Sequence, residues 1–341
     1  MDTRSRAIAL TLCAAALVGC GKKHGKAAPE VSGLAAVPAS AQAVVVADVA
    51  RVADSPLVGR AVDQLLLRDP DLSQRWQKLT ETCKLDAAKL KNIVLAIGPH
   101  EGQGPGTGPV LMVVTGQLVE SELASCVRSM VGQGGGTLTA KDLAGRTLYQ
   151  AKDGNRTMYF AFGKPDTVVL GSNEAYVTEA LGTGKKASEN PELTGWMKLV
   201  DAKDPLWAVG RVDERVRSGL VKLTSGQLSA GPVAMVVSAN PTTGLSLEVG
   251  AVMANDKDAK TLESFAKTQL GLMAMAAQAK SLGRVVDKIT ISADKSVVHF
   301  KAALGPDEVN LLISALDGGG VTAQDSPPAT GSGSAAGAAG P

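Results

Sequence analysis

The chain has 341 residues, 35 basic and 33 acidic side chains for a formal net charge of +2, 45% hydrophobic residues and only 3% aromatic ones. So balanced a charge gives no long-range pull toward nucleic acid or a strongly acidic substrate, and so few rings leave little to stack on sugars or bases. The core has to be built from Val, Leu, Ala and Ile, and the length suffices for one large or two ordinary domains.

Residues 1–19 read as a leader. Arg4 and Arg6 precede an almost wholly apolar run from Ile8 to Val18. That run suits a secretory signal and is too short for a transmembrane helix, which needs about 20 residues. It ends in Leu17-Val18-Gly19-Cys20, which resembles the lipobox of bacterial lipoproteins. The resemblance implies cleavage before Cys20, diacylglycerol on its thiol and acylation of the new amino group. Cys20 is therefore the candidate lipidation site and a membrane the expected partner. Two or more acyl chains bind firmly, where one binds marginally. Gly21, rather than Asp, follows Cys20; by the sorting rule of enteric lipoproteins this favours the outer over the inner membrane. Lys22, Lys23 and Lys26 read either as contacts to anionic headgroups or as part of a solvated tether. Cleavage removes Arg4, Arg6, Asp2 and Cys13, and lowers the net charge by one.

Residues 20–40 are rich in Gly, Lys, Ala and Pro and read as a flexible tether with a reach of about 25 Å. A first α+β unit is expected over residues 41–183. It opens with a β-branched strand at 43–49. Ser55-Pro56 then starts a helix, with Ser as N-cap and Pro at the first position. Leu57, Val58, Ala61, Val62 and Leu65 recur at helical spacing. A second helix is expected at 71–82 and a further turn at 85–90. Strands at 92–97 and 110–115 flank a Gly-Pro loop, and a helix follows at 120–130. Strand-like runs at 146–151, 157–162 and 167–170 lead to a helix capped by Asn173 and ending at Leu181.

Residues 184–203 read as a connector to a second unit over 204–317. There a strand at 206–212 and a helix at 214–224 precede a strand pair at 232–239 and 245–253. A long helix at 257–280, a hairpin at 286–292 and 296–302 turning near Asp294-Lys295, and a helix at 306–316 complete it. Residues 318–341 are low in complexity and cannot bury enough apolar surface to order themselves.

Each half thus reads strand, helix, strand pair, helix, strand run, helix, the pattern of a duplicated α+β unit. Gly-Pro-Val stands before Leu111-Met112-Val113-Val114 and again heads the run Ala234-Met235-Val236-Val237, an echo in favour of duplication. The expected fold is α+β: two similar units of mainly antiparallel sheet with helices packed on one face. Thr167-Val168-Val169-Leu170-Gly171-Ser172, followed by Pro205-Leu206-Trp207-Ala208-Val209, resembles a domain of unknown function in uncharacterised delta-proteobacterial envelope lipoproteins. That resemblance supports the fold and implies no chemistry.

Beyond Cys20, two cysteines remain, Cys83 and Cys126. An oxidising compartment favours a disulfide across a loop of 43 residues, worth about 4 kcal/mol in the chain-entropy model. The other reading is two separate buried thiols. His24, His100 and His299 are dispersed and lack the local spacing of a zinc site; His299 alternates with Val298 and Phe300 and should face away from both. The run from Gly226 to Gly231 around Ser229 has the wrong spacing for a hydrolase elbow. Gly182-Thr183-Gly184-Lys185-Lys186 follows a helix, where a P-loop follows a strand, and reads as a C-terminal cap region. The glycine-rich run 102–108 reads as a hairpin loop. Asp69, Asp71, Asp256 and Asp258 stand where helices begin and read as caps rather than calcium ligands. Leu262, Phe265, Leu270, Met273 and Ala277 form one helical stripe, read as core rather than a partner groove. Trp76, Trp196 and Trp207 read as packing residues. The sequence thus offers no catalytic residue, cofactor or metal site. It points to a membrane-anchored, non-catalytic binding or interaction module with an envelope protein as partner. A carrier of lipids or other apolar ligands, and an enzyme with a scattered site, are the other readings.

Overall fold

Local rules set most helix starts. In the computed structural model, which describes residues 28–83, 86–99, 108–278 and 283–318, proline occupies the first turn of the helices at Pro56–Arg68, Pro70–Thr82 and Pro191–Met197. There its missing N–H costs nothing. Ser55, Asp69 and Asn190 cap them by accepting hydrogen bonds from the N–H groups of Val58, Leu72 and Leu193. Asn173 caps Tyr176 in the same way at 3.0 Å.

In chain order the elements are β1 (Ala43–Asp48), α1 (Val49–Val52), α2 (Pro56–Arg68), α3 (Pro70–Thr82), β2 (Leu90–Ile97), β3 (Val110–Gly116), α4 (Glu120–Gln133), β4 (Thr137–Leu143), β5 (Arg146–Asp153), β6 (Arg156–Lys164), β7 (Thr167–Gly171), α5 (Glu174–Leu181) and α6 (Pro191–Met197). The second half adds β8 (Leu206–Arg211), α7 (Glu214–Leu223), β9 (Ala234–Asn240), β10 (Leu245–Val252), α8 (Asp256–Gln278), α9 (Gly283–Val286), β11 (Ile289–Asp294), β12 (Val297–Leu304) and α10 (Pro306–Gly318). The chain is α+β, with two similar units of antiparallel sheet.

The two units share one sheet. Its order is β11-β12-β10-β9-β8-β1-β2-β3-β7-β6-β5-β4, antiparallel at every pair. Outward from the β1–β8 seam each half runs strand, strand, strand, then the outer strands. Pairing of the equivalent strands β1 and β8 in antiparallel sense relates the halves by an approximate twofold. The Gly-Pro-Val echo does not follow that equivalence. It precedes β3, third from the seam in one half, and β9, second from the seam in the other. The resemblance of those short runs is local to sequence.

The longer helices gather on one face, here called the upper. Leu123 and Val127 of α4 pack there on Phe160, Phe162 and Val168. Leu262, Ala266 and Leu270 of α8 pack with Leu220 and Val221 of α7 on Ala251, Ile291 and Val298. Two shorter helices cover the middle of the lower face: Tyr176, Val177 and Leu181 of α5, with Leu193 and Trp196 of α6, bury Val44, Val94, Leu111, Val169 and Val209.

Two segments differ from expectation. The tether expected over residues 20–40 ends sooner: Val31 donates to Gly163 O at 3.3 Å, a 3₁₀ turn forms at Gly33–Ala36, and Ala36 and Val37 are fully buried. Residues 184–203, expected as a connector, form a 3₁₀ turn and α6, whose Leu193 and Trp196 are core residues. The first segment is held by β2, β3 and Gly163 and the second, besides its contacts to β8 and β9, by residues 37–39; such partners distant in sequence are not encoded by local composition. β4 was hidden for another reason. It is an edge strand with mostly exposed side chains, so it has no alternation to read.

Candidate apolar binding face

The strand rows place one residue from each strand in a line across the sheet. On the upper face the central row is Met112, Leu95, Val45, Ala208, Val237 and Val249, each directly paired with the next. All six are aliphatic. The flanking rows agree: Val110, Ile97, Ala43 and Gly210 on one side, Val114, Ile93, Ala47, Leu206 and Ala239 on the other. An apolar floor therefore crosses β3, β2, β1, β8, β9 and β10.

This floor is only partly covered. Val45 lies on a central strand of a twelve-stranded sheet, yet it is 41% exposed. Its neighbours Val44 and Val46, facing the lower side, are buried. Leu95, Met112, Ala208 and Val237 are half-buried. Large apolar surface left open at a sheet centre is costly, because each Å² of it kept from water stabilises by about 25 cal/mol; such patches mark binding sites.

The flanks of the floor are α4 on the first-half side and α8 and α10 on the second-half side. A V formed by α2 and α3 links them: α2 contacts α10, and α3 contacts α4. No described side chain of α2 or α3 is fully buried, and Val62, Leu65 and Leu67 are exposed. The V is fastened at its two ends. Ser55 Oγ donates to Pro241 O at 2.8 Å. Cys83, the C-cap of α3, forms a disulfide with Cys126 of α4, Cα to Cα 5.2 Å, and Met130 Sδ lies 3.3 Å from Cys83 Sγ.

The polar groups singled out by sequence do not converge. His299 faces the lower side, away from Val298 and Phe300; its Nδ1 is 2.7 Å from Glu248 Oε1, and Lys301 is 3.1 Å from the other carboxylate oxygen. Ser229 N–H and hydroxyl both donate to the Asp258 carboxylate, which also accepts from Asn255 Nδ2 at 2.9 Å. Burial alone would raise the Asp258 pKa, but these hydrogen bonds outweigh it and hold the group below the ordinary carboxylate range. Asn255, not Asp258, supplies the cap, accepting from Asp258 N–H at 2.8 Å. Asp69 caps α3 as expected. Lys186 Nζ donates to the carbonyls of Glu179 and Ala180 at the end of α5, and desolvation lowers its pKa. Tyr176 is buried with an unpartnered hydroxyl, and desolvation, with Glu179 nearby, pushes its pKa far up. Trp196 and Trp207 are packing residues. The α8 stripe is core at Leu262 but emerges at Met273, which is 60% exposed. Cys20, His24, His100 and most of the glycine-rich run lie outside the described residues.

An open cleft of about 770 Å³ lies beside α5, lined by Thr157, Tyr159, Ser172, Asn173, Glu174 and Thr178 among others. Its main polar groups are already spoken for. Ser172 Oγ accepts from Val110 N–H, Asn173 caps α5, Tyr159 OH accepts from Gln150 and Glu174 pairs with Lys141. Among the described residues no group of three His, Cys, Asp or Glu could hold a metal ion, and no helix is long and apolar enough to cross a membrane.

No protein-family profile matches the chain, and no curated protein matches it. The chain is similar to a solved structure described as crystal form I of TP0453, with 11% identity and a TM-score of 0.49 over 84% of this chain and 98% of that one. At that level the similarity assigns neither family nor function.

Proposed function

We propose that this protein is a non-catalytic binding module of the bacterial cell envelope, moored to a membrane through acylated Cys20 and binding an apolar ligand on its upper sheet face. The outer membrane is the favoured site, because Gly21 follows the anchor. The observation that carries the reading is the exposure of Val45 in the middle of an unbroken aliphatic row. An apolar surface kept open by flanking helices is suited to holding a hydrocarbon and offers no charged or nucleophilic group for chemistry. Mooring raises the local concentration of such a site near membrane lipids and membrane partners. The test is binding of the apolar dye 1-N-phenylnaphthylamine: enhanced fluorescence in the wild type that is lost in Val45→Gln supports the reading, and no enhancement in the wild type overturns it.

A second reading, docking to an envelope protein, is favoured by the end of α8. From Leu270 to Ala277 it carries no charge, and Leu272, Met273 and Met275 are exposed. A helix apolar on all sides is normally buried against something. Crosslinking from native membranes, with Met275→Lys as control, distinguishes this reading from the first.

A further inference from the structure

We infer that the ligand of the upper face is a long unbranched acyl chain, lying across the strands between α4 and α10. The inference rests on the apolar-ligand reading above and names the class of ligand. Three features of the floor select it.

The first is chemistry. The three rows of the floor hold Ala, Val, Leu, Ile, Met and one Gly, with no hydroxyl, amide, charge or ring. A peptide, sugar or nucleoside laid there would leave its own polar groups without partners, at a cost for each one. A chain of methylenes loses nothing.

The second is length. Six strands at a spacing of about 4.8 Å span about 24 Å. One leaflet of a bilayer is half of a hydrocarbon core about 30 Å thick, and one lipid chain spans it. The floor is therefore long enough for a whole chain.

The third is thickness. The α2–α3 V already joins the two flanks, fixed by Ser55 at one end and the Cys83–Cys126 disulfide at the other. A partner helix about 10 Å wide needs a wide opening between those joined flanks. A single hydrocarbon chain is much thinner and needs a far smaller one.

The test uses the full chain carrying Cys20→Ser, which has no thiol to acylate, with 1-N-phenylnaphthylamine bound and then displaced by laurate, myristate and palmitate. The expected result is displacement that tightens with chain length, by up to about fourfold per methylene. Both dye and fatty acid should be lost in Val45→Gln and in Ala208→Phe, which fills the floor without adding charge; circular dichroism checks that both variants fold. If the dye binds and is lost in the variants but no fatty acid displaces it, the acyl-chain inference fails while the apolar-ligand reading stands. If the fatty acids bind the variants as tightly as the wild type, they bind elsewhere, and the inference fails. If the dye does not bind the wild type, both fail.

Discussion

Val45 and Ala208 are directly paired across the β1–β8 seam and face the same side, so the most exposed point of the apolar floor lies where the two halves of the chain meet. The neighbouring pair, Val44 and Val209, faces the other way and is buried under α5 and α6. One strand thus serves a packed face and an open one with consecutive valines.

That asymmetry predicts unequal stability costs. Val45→Ala removes methyls that are partly in water already and should shift unfolding by less than about 1 kcal/mol. Leu111→Ala empties a fully buried site on the lower face and should cost about 2–5 kcal/mol. Urea denaturation of both variants measures the contrast; equal losses would mean the floor is covered.

The disulfide should matter to the V more than to the sheet. Reduction, or Cys83→Ser with Cys126→Ser, removes a crosslink across 43 residues and should lower stability by up to about 4 kcal/mol. Hydrogen exchange should rise first in α2 and α3, which have no fully buried side chain among those described, and last in β1 and β8.

Asp258 gives a pH dependence of known sign. Burial by itself raises its pKa, but hydrogen bonds from Ser229 and Asn255 bring it below the ordinary value. Below about pH 4, the unperturbed range, the unfolded chain takes up the proton first. The contribution of Asp258 is therefore complete at neutral pH and lost as pH falls through its folded pKa. Asp258→Asn should cost about 1–3 kcal/mol at pH 7 through its broken hydrogen bonds, and progressively less as the pH is lowered below the unperturbed carboxylate range. A cost that stays constant with pH would refute the assignment.

Gly163 seats the N-terminal segment. A Cβ there would lie 2.5 Å from Val31 O, so Gly163→Val cannot keep that strand-like contact. It should cost about 1–3 kcal/mol and expose residues 31–40 to limited proteolysis. Digestion no faster than in wild type would argue that the segment is held from elsewhere, for example by Arg146, which donates to Pro29 O.

Features set by neighbours in sequence were readable from it. Ser55-Pro56, Asp69-Pro70 and Asn173 each announced a helix because a cap needs only the next three residues. The strand pairs were readable from β-branched runs, and their order gave the two α+β units. Features set by distant partners were not. Ala36, Val37, Leu193 and Trp196 are core residues in segments whose composition resembles a linker. The apolar floor was hidden for a subtler reason: Val44-Val45-Val46 has no alternation, so it reads as a strand buried on both faces. Only the placement of α4, α8 and the V leaves one of those faces open. The pairing of Cys83 with Cys126 likewise required knowing that α3 and α4 touch.

The five residue pairs from Ala43–Gly210 to Ala47–Leu206 also constrain how a guest could enter. Many two-part receptors open like jaws about a hinge, and their halves swing apart. Here the halves are laced by backbone hydrogen bonds at the very line a hinge would need, so swinging would tear a continuous sheet. Loading has to proceed over a stationary platform, by lifting the least-anchored helices or sliding in from an end, and two spin labels placed one on each half should report the same separation empty and full.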